Sequence, residues 1–499
     1  MDIMKIKCTP KQEECIKYPK NRNLLIRGIA GSGKSLVILR RAYDIASEGF
    51  EKGEKRSIAI FTYANSLVSY TKEIVDKKFE QNFNIVVNTM DKHLKDVYND
   101  VVDATQKGKR VYKLQFQPNK KILDNICDEV GEELKNRFLK PEMRAFLGDE
   151  LAWMKQHMLR TEEQYLHVNR VGRGKTRPSE KDRSIIFKIY TKYYEALAEK
   201  NINDVDAIYL ELYDRRDEIP DECKFDYVLI DESQDLPLNK LLLAAAITNK
   251  ALTFAGDYAQ KIYKTGFSWK ELGIDMRGNS SKKLTGTFRN TRQIMELAEC
   301  LTKHNTELMS MQDEYVAPEL PTKSGPLPTL HYAISLTDEK DYILHLARQY
   351  RTKFPKDTIG IILPNNNKIN WVAESLKTAR IKFQLIQSSQ DAAKFSIIDP
   401  GIKIVTFHSS KGLEFDHVIL AFLEDGIFPY RPNKYNPNAN STFDADSEED
   451  EMNKARNLLY VGMTRARYTL FMIACDSNSS QPSPLIEELE PKLYQIKKD

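Results

Sequence analysis

Three things are scarce in this 499-residue chain, and each scarcity excludes a class of protein. Cysteine is rare: Cys8, Cys15, Cys127, Cys223, Cys300 and Cys475 lie far apart, with no Cys-x-x-Cys pair. Such spacing supports neither a disulfide framework nor a zinc site, and it reads as reduced core thiols. An excess of one charge is missing: 75 Lys and Arg against 71 Asp and Glu leave a net +4, which excludes a histone-like polycation. Long apolar runs are missing too. The longest near the middle, Leu241 to Ile247, is far short of the roughly 18 residues a membrane span needs. Met1 to Pro10 alternates charged and apolar residues without a signal-peptide core, so a cytoplasmic protein with no membrane attachment is expected.

What is present suffices for sizeable cores: 41% of residues are hydrophobic, with 24 Tyr and 21 Phe. At about 100 to 200 residues per domain, the length predicts about three domains. Short apolar runs with strand character recur at 23–27, 57–62, 227–230, 252–255, 359–363, 402–406, 417–422 and 469–474, with helical patterns between them. That alternation predicts an α/β protein built on parallel sheets. From His93 to Phe225 the rhythm stops, and charged, aromatic-bearing segments with helical spacing take over. The insertion is long enough to be a domain of its own. From Leu94 to Lys224 it carries 25 basic and 25 acidic residues, yet Arg170, Arg173, Lys175, Arg177, Lys181, Arg183, Lys188 and Lys192 face only Glu180 and Asp182. Charge so concentrated predicts a phosphate-contacting patch, with a solvated loop as the bland alternative. The Pro-rich stretch 317–328 reads as a connector, and 431–450 as an exposed, acidic-ended loop.

Gly28 to Ser35 spell GIAGSGKS, a G-x-x-x-x-G-K-[ST] run between a predicted strand and a predicted helix. Gly28, Gly31 and Gly33 let backbone N–H groups turn onto phosphate oxygens, at a helix N-terminus whose partial positive charge favours anions. Ala30 and Ser32 complete the loop, Lys34 reaches for the β- and γ-phosphates, and Ser35 for Mg²⁺. Such a site also needs a metal-orienting carboxylate at a strand end. YVLIDE supplies Asp231 for Mg²⁺ and Glu232 for activating the attacking water. Alone, an apolar run ending in Asp-Glu is an ordinary strand meeting a turn; beside a phosphate loop the functional reading prevails. AGDYAQ places Asp257 and Gln260 at a neighbouring strand tip, where Gln260 can sense the γ-phosphate. Lys34 and Asp231 stand 197 residues apart, too far for a bare nucleotide-binding core, and the helical insertion accounts for the excess.

Taken in order, these elements resemble superfamily 1 helicases of the UvrD/Rep type over nearly the whole chain. CTPKQEECI, with Gln12, resembles the adenine-reading N-terminal motif, GIAGSGKS motif I and FTYANSLVSY motif Ia. VLIDESQDL resembles motif II, with Gln234 and Asp235 completing DExQD, and AGDYAQKIY resembles motif III. LTGTFRNTRQI, TFHSSKGLEFDHVIL and LLYVGMTRAR resemble motifs IV, V and VI. The resemblance implies two RecA-like P-loop parallel-sheet lobes with a mainly helical insertion in the first. Residues 1–93 and 225–282 would form the first lobe, 94–224 the insertion and 283–499 the second lobe. It further implies ATP and Mg²⁺ as cofactors, Arg289 and Arg465 as arginine fingers, and Glu414 near the nucleotide sugar and phosphates.

Single strands are held by backbone contacts and by bases stacked on aromatic rings. The positions so implied are Thr62, Asn65, Thr89, Tyr263, Phe267, Trp269, Thr406 and His408. Three departures stand out. IYKTGFSW after motif III leaves the stacking ring open between Phe267 and Trp269. NTMDKH puts Asp91 where relatives commonly carry His, which unsettles contacts there. Ile294 to Ile402 spans only 108 residues, too few for the accessory domain that longer relatives insert in the second lobe. Asp204 and Asp206 match an acidic pair at the exit of the first-lobe insertion. The implied activity is an ATP-dependent DNA helicase or translocase on single-stranded DNA, moving 3′ to 5′ and engaging single-strand/double-strand junctions. The missing accessory domain keeps a second reading open: an ATP-gated DNA-binding or sensing subunit of a multi-protein complex, a nuclease being one candidate partner. A small-substrate P-loop ATPase would leave motifs IV to VI unexplained.

Overall fold

The computed structural model describes residues 5–62, 65–103, 113–115, 119–168, 170, 176–260, 280–310, 315–387, 391, 399–430 and 445–497. In chain order the first half opens with α1 (Pro10–Ile16), β1 (Leu24–Gly28), α2 (Lys34–Glu51), β2 (Ser57–Thr62), α3 (Asn65–Lys78), β3 (Asn84–Thr89) and α4 (Met90–Tyr98). The insertion follows as β4 (Lys113–Gln115), α5 (Lys120–Glu133), α6 (Arg144–Gln156), α7 (Glu162–His167), α8 (Glu180–Glu199), β5 (Ile202–Asp204) and α9 (Val205–Asp214). The chain then returns through β6 (Phe225–Ile230), α10 (Leu238–Ala246), β7 (Thr248–Gly256) and β8 (Ser281–Leu284). The second half holds α11 (Arg292–Lys303), α12 (Thr306–Ser310), β9 (Thr329–Ala333), α13 (Leu336–Lys353), β10 (Thr358–Leu363), α14 (Asn366–Thr378), β11 (Phe383–Leu385) and β12 (Gly401–Thr406). It closes with β13 (Phe415–Leu420), α15 (Ala445–Met463), β14 (Ala466–Cys475) and β15 (Gln495–Lys497).

Two large all-parallel sheets result among the described residues, one RecA-like lobe on each, besides the two-stranded parallel β4-β5 pair in the insertion. The first runs β3-β2-β6-β7-β1-β8 and the second β11-β12-β10-β13-β14-β9-β15. Their central strands bury both faces, because helices cover each side, whereas the edge strands β3, β11 and β15 are more exposed. Successive residues therefore enter different cores: Ile26, Ile60 and Leu229 pack under α1 and α2, while Leu25, Ala59, Phe61 and Val228 pack against α4, α9 and α10. The second sheet divides the same way, Ile362 and Val405 to one side and Ile361 and Ile404 to the other. β8 ends at Leu284, two residues past the expected limit of the first lobe. Between Ile294 and Ile402 the described residues hold the rest of α11, then α12, β9, α13, β10, α14 and β11, with irregular chain over 315–328.

The insertion has its own core, in which α5, α6 and α8 close over Leu123, Leu147, Leu151, Trp153, Ile186 and Ile189. Its basic cluster is not a free patch. Arg170 pairs with the buried Glu150. Arg183 donates to the carbonyls of Tyr165 at 3.1 Å and Leu166 at 2.7 Å. Lys188 meets Glu133 at 2.9 Å and Lys192 meets Glu129 at 2.5 Å. The acidic residues that balance the insertion overall therefore come back to neutralise its positive stretch across helix pairs invisible in linear order. Arg177 and Lys181 remain exposed, and Arg173 and Lys175 lie outside the described residues.

All six cysteines are free thiols; Cys15, Cys127, Cys300 and Cys475 are buried, whereas Cys8 and Cys223 are only partly so. Among the described residues, no helix is long and apolar enough to cross a membrane.

Candidate active site

Strand order builds the site. β6, β7 and β1 are neighbours in the first sheet, so their C-terminal ends bring together the Asp231 turn, the Asp257 turn and the glycine-rich loop before α2. Parallel α/β sheets bind ligands at this end, where loops and helix N-termini converge. Gly31 and Gly33 lie in the left-handed region, at φ 70° and 83°. A side chain on Gly31 would strike Thr287 Oγ1 at 2.6 Å, and one on Gly33 would strike Gln12 Nε2 at 2.5 Å. Gln12 closes a capping box on Thr9 and donates to the Ser32 carbonyl at 2.9 Å, fixing α1 to the loop.

These residues fit a phosphate group. Ser32 Oγ and Thr287 Oγ1 are buried with no hydrogen-bond partner, which is costly unless a ligand satisfies them. Lys34, itself buried, donates to the carbonyls of Gly28 and Ile29, each at 2.9 Å, and stands 3.9 Å from Asp257. Ser35 Oγ donates to Asp231 Oδ2 at 2.5 Å. A hydroxyl and a carboxylate so placed are the hard oxygen donors that Mg²⁺ takes. Burial and the adjoining Glu232 raise the Asp231 carboxyl above its ordinary range. Burial opposes charge on Glu232 as well, but Lys411, Lys34, Gln234 and Arg465 overcome it and hold that carboxyl below its ordinary value.

The second lobe completes the site. Arg465, fully buried, donates to the Val461 and Leu413 carbonyls and, through Nη2, to Gln260 Oε1 at 2.6 Å. Gln260 in turn donates to Asp257 Oδ2 at 2.7 Å. Arg289 follows β8 and pairs with Glu414 at 2.8 Å, its Cβ lying so close to Gly31 that a side chain there would meet it at 2.7 Å. Asn290 anchors this turn to the carbonyls of Thr464 and Ala466. Gly31, Gln260, Arg289, Glu414 and Arg465 thus meet across the cleft.

Two residues of the site escape a reading of motif order alone. Lys411, in SSKGLEF, is buried between the lobes, where it pairs with Asp235, approaches Glu232 at 3.9 Å and donates to the Gln260 carbonyl. Its signal was a lysine beside a glycine in a motif whose Thr and Glu were already assigned. Phe288, between Thr287 and Arg289, is 60% exposed, and its N–H donates to the Gly31 carbonyl at 3.0 Å. Its signal in the sequence is an aromatic ring next to Arg289.

The implied nucleic-acid positions divide. Thr62 ends β2 and is buried; Asn65 starts α3, and its side chain lies outside the described residues. Thr89 caps α4 by accepting from Lys92 N. Thr406 ends β12 and accepts from Ser409 N at 3.0 Å, beside the exposed His408. Tyr263, Phe267 and Trp269 lie outside the described residues. Asp91 has a structural role, binding Lys240 at 2.8 Å and the Tyr209 hydroxyl and so tying α4 to α10 and α9. Asp204 caps α9 and approaches Lys155 at 3.4 Å, while Asp206 accepts from Asn239 and Gln156, both at 3.1 Å.

The sequence is also similar to known proteins. The sequence model of the UvrD/REP helicase N-terminal domain matches residues 8–269, and that of the UvrD-like helicase C-terminal domain matches 386–477. A protein of Mycoplasma capricolum named "Probable DNA helicase II homolog" is 24% identical over 377 residues, 72% of this chain and 49% of that one. The ATP-dependent DNA helicase Rep of Buchnera aphidicola is 35% identical over 149 residues, 26% of this chain and 21% of that one. PcrA of Leuconostoc citreum, also an ATP-dependent DNA helicase, is 33% identical over 112 residues, 21% and 13% of the respective chains. The chain spans half or less of the length of these curated relatives. A solved C-terminal domain of a possible DNA helicase from Lactobacillus plantarum aligns with 42% of this chain and 99% of that one, at 22% identity and a TM-score of 0.30.

Proposed function

The chain belongs to the UvrD/REP helicase family, and from that premise we propose that it is an ATP-driven motor on single-stranded DNA. It moves 3′ to 5′, opens duplex at single-strand/double-strand junctions and works in the cytoplasm. The first lobe comprises 1–93 and 225 to the end of β8, the insertion 94–224 and the second lobe the remainder. One observation carries the reading: Arg465, in the turn between α15 and β14 of the second lobe, reaches the strand tips of the first sheet and binds Gln260, so the hydrolytic site is whole only when the lobes meet.

On this reading the loop N–H groups of residues 28 to 35 cradle the phosphates, and Lys34 leaves the Gly28 and Ile29 carbonyls for phosphate oxygens. Gln12 reads adenine, Phe288 offers a face to the base, and Glu414 meets the sugar. Ser35 and Asp231 would hold Mg²⁺, which when bound would supply charge neutralisation at the phosphates. Glu232, kept ionised by Lys411 and Lys34, accepts a proton from the attacking water. Arg289 and Arg465 stabilise charge on the transferring group only across a closed cleft, so hydrolysis is tied to lobe closure. DNA then lies over the strand tips of both lobes, on Thr62, Asn65 and Thr89 of the first and Thr406 and His408 of the second, with Tyr263, Phe267 and Trp269 as stacking candidates.

The test is ATP hydrolysis measured with single-stranded DNA, duplex DNA and RNA over a salt series. Strong stimulation by single-stranded DNA is expected, with a log–log salt slope reporting the number of phosphates gripped. Lys34→Ala should lower stimulated hydrolysis at least about 100-fold. Full hydrolysis by that variant would end the assignment of the site. Strand displacement seen only with an added protein partner would favour the ATP-gated subunit instead.

A further inference from the structure

Glu232 is held in place by something other than its own backbone. It is a non-glycine residue at φ 56° and ψ 39°, a left-handed conformation that surrounding contacts must impose. Gln234, 1% exposed, is the contact closest to its carboxylate: Nε2 donates to Glu232 Oε2 at 2.6 Å. At its other end, Gln234 Oε1 accepts from the Asp257 N–H at 3.0 Å. This carboxamide has one permissible orientation. A backbone N–H can only donate and an ionised carboxylate can only accept, so turning the amide over would oppose donor to donor and acceptor to acceptor. Gly256 leaves room for it, since a side chain there would come within 2.8 Å of Gln234 Oε1.

The chain of bonds continues. Asp257 accepts from Gln260 at 2.7 Å, and Gln260 accepts from Arg465 at 2.6 Å. A second carboxamide is thereby locked between a carboxylate and a guanidinium. Glu232, Gln234, Asp257, Gln260 and Arg465 form one unbroken path from the water-activating carboxylate in the first lobe to the finger of the second.

We propose that Gln234 is the positioning residue for Glu232, and that through the Asp257 backbone it makes the alignment of that carboxylate depend on the docking of Arg465. The proposal rests on the ATPase reading above. Gln234 touches neither nucleotide nor water on this account; it sets where the Glu232 oxygen stands, a matter in which small misplacements of a reacting group are costly.

Gln234→Met keeps the length of the side chain and removes its hydrogen bonds to Glu232 and Asp257, together with the long 3.5 Å one to Asp235. ATP hydrolysis by the full chain with saturating single-stranded DNA should fall about 10- to 100-fold in kcat, with KM for ATP within about twofold of the original. Binding of a fluorescent ATP analogue, measured alongside, should persist, which separates loss of alignment from loss of fold. Adding Gln234→Met to Glu232→Gln should slow the reaction no further, because no carboxylate remains to be aligned. An unchanged kcat in Gln234→Met, or a rise in KM matching the fall in kcat, overturns the proposal. An additive double variant does so too. If Glu232→Gln alone hydrolyses ATP at the original rate, the base assignment itself has failed, and the positioning role falls with it by a separately visible route.

Discussion

Glu299 sits on α11 where an ionised carboxylate is poorly served: burial, with Asp257 adding repulsion, outweighs donors from Tyr315, Thr302 and Tyr460 and pushes its carboxyl up to about 7. One of its oxygens, Oε1, has no partner at all. A folded-state value above the unfolded one means that the fold prefers the protonated form. The stability it contributes is complete below the unfolded value of about 4.5 and is lost as pH rises towards 7. Glu299→Gln should therefore melt close to the original at pH 4.5 and above it at pH 8, by on the order of 2 kcal/mol. Equal pH dependence in thermal melts of the two proteins would refute this. The same residue shows what linear order hides. GIAGSGKS and VLIDE were legible because a phosphate and a metal demand fixed residue types at fixed spacing, whereas Glu299 acquires its chemistry only from Tyr315, Tyr460 and Asp257, which the sequence scatters. Lys411 escaped for that reason: its partners Asp235 and Glu232 lie in the other lobe.

Elements are legible where periodicity is strong, whereas charge counted along the chain does not show which ions pair. The strand expected at 359–363 spans Thr358–Leu363, and that at 402–406 spans Gly401–Thr406, because runs buried on both faces leave little choice. The positive stretch in the insertion is partly paired in a way that linear order hides, since α8 lies against α5 and Lys188 and Lys192 meet Glu133 and Glu129 there. Asp91 is the counterpart at an element junction: a departure from the family's pattern that the structure uses to join α4, α9 and α10. Asp91→Ala would leave Lys240 and the Tyr209 hydroxyl without this acceptor. Because the Asp91 side chain is 43% exposed, solvent screening limits the loss. Denaturant unfolding should show a destabilisation of about 1–2 kcal/mol, and Asp91→Asn, which keeps an oxygen for Tyr209, should lose less. A stability unchanged by Asp91→Ala would remove this junction from the account of how the insertion is seated.

At the scale of the whole molecule, the proposed activity depends on how closely the lobes approach, and one contact measures that approach. Gly412, in the second lobe beside Lys411, adopts φ 78° and packs directly on Leu67 of α3, so a methyl there would collide with the Leu67 side chain. Glycine is required twice over: for the left-handed backbone, which costs a larger residue about 1 kcal/mol, and for the closeness of the lobes. Gly412→Ala should hold α3 away from the loop that carries Lys411 and loosen the meeting of Arg465 with Gln260. Hydrolysis with single-stranded DNA should fall about tenfold in kcat, while ATP binding, which uses the first-lobe loop, changes little. Leu67→Ala alone should be mild for hydrolysis, because it removes bulk from the contact without changing the backbone. Combined with Gly412→Ala it makes space for the new methyl and should restore most of the rate. The pair distinguishes the two demands on the glycine. Recovery assigns the loss to lobe separation, whereas a double variant as slow as Gly412→Ala assigns it to backbone strain in motif V and would mean that closeness at this point is not what limits hydrolysis.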